Sequence, residues 1–158
     1  MNVFLLMHAI AALLREETAQ LPLCTGEKSG NGLLTRAPGV WLGSLPSRNG
    51  AQPAYETPFI VVQAMNGWQD EDNFARAEIA VRVCVWHENR EACENDLHNL
   101  LALCRRSLLR QRAKALCGRY ILTVNDASQF LPWVRPDEQG LQYLEAWFLS
   151  HWKMQGIE

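Results

Sequence analysis

The sequence lacks any strong excess of charge of one sign. Its 17 acidic and 15 basic residues leave a formal net charge of −2 over 158 residues. Bulk attraction to nucleic acid or to an anionic membrane needs a large positive charge, so partners must be recognised locally, without sequence-specific binding to nucleic acid. With 48% hydrophobic and 20% charged residues, the chain has ordinary globular composition, and residues 1–158 fit a single domain with one core.

A long apolar segment is also lacking. The apolar run at residues 3–14 is too short for a bilayer, which takes about 20 residues. A signal peptide would carry Lys or Arg ahead of this run, and none precedes it. We therefore predict an N-terminal amphipathic helix over residues 1–18 and no membrane partner.

The cysteines do not have the even number and spacing of a small disulfide framework. There are five of them: Cys24, Cys84, Cys93, Cys104 and Cys117. This pattern favours a reducing compartment and free thiols.

No cofactor motif is complete. The glycine-rich residues 26–32 resemble a phosphate-binding loop, but Glu27 separates Gly26 from Lys28 and no strand precedes them. The one group of metal-ligating residue types is Cys84, His87, Cys93 and His98. Cys93 and His98 would lie roughly 140° apart around a helix, so a shared metal is not expected, and neither is any cofactor.

Catalytic signatures are lacking as well. The sequence contains no nucleophile elbow, no catalytic-cysteine signature and no pair of carboxylates that stands out as an acid and base. Residue chemistry therefore predicts a protein that is not an enzyme.

The most regular pattern present runs over residues 74–109. Apolar residues alternate with mostly polar ones from Ala75 to Val85, as in a half-buried strand. From Arg90 the period changes to that of a helix with one apolar stripe, which continues to Leu108. In this register Val81 and Val83 face the core.

The other segments are less regular. Residues 19–57 are rich in Gly and Pro and indicate a long, partly mobile connection with at most a short edge strand over residues 39–45. Residues 58–65 indicate a strand that pairs antiparallel with the next one through an acidic connection over residues 66–73. Further strands are predicted at residues 119–125 and 141–154, although the last segment also fits a helix.

The predicted fold class is α/β of the α+β type. A mixed, mainly antiparallel sheet would be flanked by the N-terminal helix and one long helix.

In order and local pattern, these elements resemble the tail terminator proteins of long-tailed bacteriophages and prophages. The resemblance covers residues 58–154, including Pro58-Phe59-Ile60-Val61-Val62, the acidic hairpin, the alternating strand and the closing aromatic segment. It implies a structural subunit of a ring, a hexamer in that family, that caps the tail tube, ends its polymerisation and offers a surface to head-completion proteins. It also implies assembly in the bacterial host cytoplasm, followed by a place in the virion tail. Alternatives are another phage connector or neck protein, or a small soluble ligand-binding domain or enzyme.

Two surfaces are candidate contacts of such a ring. Asp70, Glu71 and Asp72 would form an acidic hairpin tip that reaches a partner or the tube lumen. The long helix has acids near its start and bases near its end, which complement the helix dipole and also suit contact between one subunit and the next. The candidate interface residues on that helix are Glu91, Glu94, Arg106 and Arg110.

Overall fold

The computed structural model describes residues 1–30, 32–45, 57–137, 139–140 and 142–154. These residues form two long helices, a short 3₁₀ turn at Arg110–Arg112, and strands. In chain order the elements are α1 (Val3–Thr18), β1 (Leu23–Ser29), β2 (Gly32–Arg36), β3 (Gly39–Leu42), β4 (Phe59–Gln69), β5 (Ala75–Trp86), α2 (Arg90–Leu109), β6 (Tyr120–Thr123), β7 (Trp133–Val134) and β8 (Tyr143–Met154).

Each long helix begins at an asparagine. The side-chain oxygen of Asn2 accepts a hydrogen bond from the backbone N–H of Phe4 at 3.0 Å, and that of Asn89 accepts one from the N–H of Ala92 at 2.9 Å. Such caps satisfy amide groups that have no partner within the helix, and each contributes about 1 kcal/mol. The caps fix where α1 and α2 start.

The main sheet has the strand order β3-β4-β5-β8-β6, and β7 adds a short pairing to β8. Neighbouring strands are antiparallel except β3 and β4, which are parallel. The predicted α+β class with a mainly antiparallel sheet is confirmed, and the C-terminal segment is a strand.

The core lies between one face of this sheet and the two helices. Along β5 every second residue is fully buried, including Val81 and Val83, so the predicted register is correct. Strand β8 alternates in the same way and buries Phe148 and Trp152 against the helices. Helices α1 and α2 contact each other and pack on the same face of the sheet.

The opposite face of the sheet, here called the outer face, carries no helix in the described residues. At one end it has a small apolar cluster of Phe59, Val61 and Cys84, with Trp41 and Tyr143 packed against it. At the other end the side chains are polar. A sheet covered by helices on one side only leaves a large surface for contacts with other molecules.

The prediction of one long connection over residues 19–57 is wrong for its first part. Strands β1 and β2 form an antiparallel hairpin between Leu23 and Arg36. The short edge strand predicted within residues 39–45 is confirmed as β3, which pairs with β4 at the edge of the main sheet. The glycines that suggested interruption lie at turns: Gly32, at the start of β2, has a φ of +132° and Gly43, just after β3, has one of +77°. Residues 46–56 lie outside the described residues, so the prediction of mobility stays a prediction.

The acidic connection is also shorter than predicted. Asn66 and Gly67 continue β4 as far as Gln69 because a bulge between Ala64 and Asn66 shifts the register by one residue and pairing with β5 resumes. The turn itself therefore occupies residues 70–74.

Candidate functional site

The hairpin turn between β4 and β5 is held together by Asp70. Its carboxylate accepts hydrogen bonds from the backbone N–H of Phe74 at 2.8 Å and of Asp72 at 3.1 Å. Its other oxygen accepts one from Nε of Arg76 at 2.5 Å. Desolvation raises the pKa of Asp70, but the hydrogen bonds from Arg76 and Phe74 outweigh it, so the pKa lies below its usual value. The carboxylate of Asp70 thus stabilises the turn, and its predicted contact with a partner stays a prediction.

The other two acids of the tip are different. The side chains of Glu71 and Asp72 are exposed, and neither makes a hydrogen bond or ion pair in the described part of the chain. Two charges, rather than three, are thus free to meet a partner.

On α2, Glu94 is already engaged within the subunit. Its carboxylate accepts a forked pair of hydrogen bonds from Arg135 at 2.8 and 3.1 Å and another from Arg90 at 2.9 Å. These contacts, those from Arg135 first, hold the pKa of Glu94 below its usual range. Glu94 thus ties α2 to the segment before β8, and its predicted role in a subunit interface stays a prediction.

Of the other candidates on α2, Arg110 has an ion-pair partner within the subunit, and Glu91 and Arg106 have none among the described residues. Arg110 lies 3.4 Å from the carboxylate of Glu17, at the end of α1. Glu91 and Arg106 are exposed and form no ion pair within the described residues. The structure thus leaves Glu91 and Arg106 as the available charges at the two ends of the helix.

Neutralising Glu94 should weaken the fold in a pH-dependent way. Glu94→Gln loses the forked ion pair, so we expect a loss of about 1 kcal/mol at pH 7, since the group is partly exposed. A carboxyl group with a lowered pKa stabilises the fold above its unfolded pKa, and this contribution is lost as the pH falls through the folded pKa. Urea unfolding should therefore show a smaller difference between wild type and variant at pH 3 than at pH 7. Glu91→Gln is the matched control on the same helix, and an equal loss there would contradict the assignment.

The residues of metal-ligating type have separate partners. Nδ1 of His87 accepts a hydrogen bond from the N–H of Asn89 at 2.9 Å, Cys93 donates to a backbone carbonyl at 3.4 Å, and His98 packs edge-on against Trp133. Cys84 lies 3.6 Å from Glu145. Within the described residues, no three side chains of His, Cys, Asp or Glu converge as metal ligands would.

The five thiols differ in accessibility, and this predicts their reactivity. Burial raises the pKa of Cys84, that of Cys93 to about 11 and that of Cys104 to about 12, whereas Cys117 is exposed and Cys24 is half-buried. Because the thiolate is the reactive form, an aromatic disulfide reagent should modify Cys117 first, Cys24 more slowly and the other three only after denaturation. Cys117→Ser should remove the fast phase. Fewer than five thiols in unreduced, denatured protein would contradict the prediction of free cysteines.

A feature that sequence reasoning missed is a polar cleft at the far end of the outer face, with a volume of about 580 Å³. Four side chains form a row across four strands: Asn66 pairs with Glu78, Glu78 with His151, and His151 with Thr123. Nε2 of His151 lies 2.8 Å from Oε2 of Glu78. The alternation of residues along β5 predicts that Glu78 lies on the outer face. Glu78 and His151 are 73 positions apart, and the pairing register of β5 with β8 that brings them together cannot be read from the sequence.

No protein-family model matches this chain, and no curated protein matches its sequence. In the part of the chain that the structure describes, neither helix combines the length and apolar character needed to cross a bilayer.

Proposed function

We propose that this protein is a structural subunit of a bacteriophage or prophage tail, a tail terminator that forms a ring on the tail tube and ends its polymerisation. The ring would expose a surface for head-completion proteins. The proposal rests on the resemblance of element order over residues 58–154 and on one structural observation, the open edge of β4.

This edge comprises residues 63–69, the second half of β4. Strand β3 covers only residues 59–62 of β4, and all seven residues of the edge are exposed. A strand edge with free backbone N–H and C=O groups pairs readily with another chain, and soluble proteins usually block such edges. In the described residues this edge is covered by no other strand, as expected for a subunit that associates through it.

Apolar side chains at this edge support the same interpretation. Met65 and Trp68 are 54% and 44% exposed. The start of α1 lies on the helix-covered side of this edge, where Val3 is next to Gly67, and it adds the exposed Phe4 and Leu5 on that side. Large exposed apolar side chains are typical of contact sites between proteins.

The apolar cluster at the other end of the outer face and the two ends of α2 offer surfaces different from this edge. A ring needs heterologous contacts, in which one patch of a subunit meets a different patch of the next subunit. The charges of Glu91 and Arg106, at opposite ends of α2, are available to align neighbours.

Light scattering after size exclusion tests the proposal. At low concentration we expect the 17.9 kDa monomer. At high concentration, or with purified tail tubes, we expect a ring with a mass near six times that of the chain. Met65→Lys places a charge on the β4 edge and should shift association to higher concentration. Leu34→Lys, on the separate β1–β2 hairpin, is the matched control because Leu34 is also exposed.

A tight two-fold dimer that persists on dilution would contradict the ring. Equal effects of the two lysine substitutions would show that the β4 edge is not the contact.

A further inference from the structure

We propose that the cleft on the outer face binds an arginine side chain presented by another polypeptide. The cleft lies over β4, β5, β8 and β6 and opens to solvent. Its volume is typical of pockets that bind small ligands or short peptide segments.

The floor of the cleft contains a carboxylate that is fixed in position. Glu78 and His151 are cross-strand neighbours, and their side chains are in contact through Oε2 and Nε2. The hydroxyl of Thr123 donates to the backbone carbonyl of His151 at 3.2 Å, which adds to the pairing of β6 with β8. The second oxygen of Glu78, Oε1, has no hydrogen-bond partner among the described residues and can accept from a ligand.

The two walls differ in chemistry. On one side stands Trp68, whose indole is 44% exposed. On the other side is Asp126, at the tip of a tight turn in which Asn125 accepts hydrogen bonds from the N–H groups of Ala127 and Gln129 at 3.0 and 2.9 Å. The Asp126 side chain is exposed and makes no hydrogen bond or ion pair with another described residue. The turn holds the backbone of Asp126 at the rim of the cleft.

The charges of the cleft favour a cation. Asp126 and Glu78 line it, and Arg76, the arginine among the described lining residues, forms an ion pair with Asp70. Lys153 is the cross-strand neighbour of Arg76, but its ammonium group lies over the ring of Phe74, 5.1 Å from the ring centre. Oε2 of Glu78 is therefore paired with His151, while its Oε1 and the carboxylate of Asp126 have no hydrogen-bond or ion-pair partner in the described lining.

An arginine fits this arrangement better than other cations. Its planar guanidinium stacks on an indole and donates paired hydrogen bonds to carboxylates. The ammonium group of lysine stacks on an indole and pairs with carboxylates less well, because it is compact and strongly hydrated. A free amino acid would bring its own carboxylate toward Glu78 and Asp126, so arginine within a peptide is the better ligand.

The inference does not depend on the proposed ring. It is tested on the dilute monomer, where failure of arginine binding leaves the ring proposal untouched, and failure of the ring leaves the cleft intact.

The experiment is calorimetric titration of the capped peptide acetyl-Gly-Arg-Gly-amide into dilute protein. Matched peptides carry lysine, or citrulline, which keeps the shape of arginine but has no charge. We expect the arginine peptide to bind at least about tenfold more tightly than the citrulline peptide and more tightly than free arginine. Asp126→Asn and Trp68→Ala should each weaken binding by about fivefold, while Asp137→Asn, an exposed aspartate outside the cleft, should leave it unchanged.

Circular dichroism melting confirms that each variant is folded, and Asp126→Asn is decisive because its side chain is exposed and the change preserves its shape. Equal binding of the arginine and citrulline peptides would overturn the proposal. The proposal would also be overturned if the arginine peptide did not bind at the highest concentration used, or if Asp126→Asn bound it as tightly as wild type. Binding of a neutral sugar in place of the arginine peptide would overturn it as well.

Discussion

Replacing Val83 with aspartate is expected to unfold the domain. Val83 is fully buried in the middle of β5, between β4 and β8, and its side chain contacts the apolar core under the helices. An aspartate there has either an unpaired charge or a neutral carboxyl group without hydrogen-bond partners. Either costs more than about 4 kcal/mol, a large part of the stability of a domain of this size.

Urea unfolding followed by far-ultraviolet circular dichroism measures the effect. Ala80→Asp is the matched control, since Ala80 lies on the same strand but on the partly exposed outer face, and we expect it to cost less than about 1 kcal/mol. If both variants were equally stable, the strand or its register would be assigned wrongly.

The parts of the fold that the sequence predicted correctly are those with a clear period. In β5 and α2 the change from alternation to a helical stripe falls within a few residues of the observed boundaries, because burial on one face dictates both periods. Strand β8 places Leu144, Phe148 and Trp152 on one face. Its pattern fitted two periods, and the β propensity of the aromatic residues correctly favoured a strand.

The hairpin of β1 and β2 could not be predicted in the same way. The five residues of β2 are mostly exposed, so this strand does not alternate between apolar and polar residues. It is stabilised by backbone pairing with β1, which depends on a partner strand rather than on side-chain pattern. Asn66-Gly67 is a typical turn sequence and was predicted to be part of the connection. Pairing with β5 keeps these residues extended instead, and this pairing also depends on the partner strand.

The candidate site was predictable only where contacts are local. The contact of Arg90 with Glu94 has helical i, i+4 spacing and is visible in the sequence, whereas Arg135 comes from 41 positions away. An aspartate that accepts hydrogen bonds from nearby amides is a common turn device. That signal in residues 70–74 could have shown that Asp70 serves the turn.

The second large effect is expected at the hairpin tip: on the proposed tail function, Glu71→Lys with Asp72→Lys should abolish tail assembly. Both side chains are exposed, so the reversal should leave folding unchanged. A ring would repeat these acids by symmetry as a negative collar, able to orient a basic surface or keep passing DNA from adhering. Reversing the collar would place like charges against that partner. The measurement is infectious titre and tail length when the variant complements a phage that lacks this protein.

Asp70 must stay unchanged in this variant, because its carboxylate holds Phe74 and Arg76 in the turn. Asp70→Asn is therefore the structural control, and it should lower thermal stability, whereas the double lysine variant should melt like wild type. A loss of titre together with wild-type melting assigns the two exposed acids to partner contact. Normal titre and tail length with the double variant would show that they serve only solubility, since solvated charges at a turn are common.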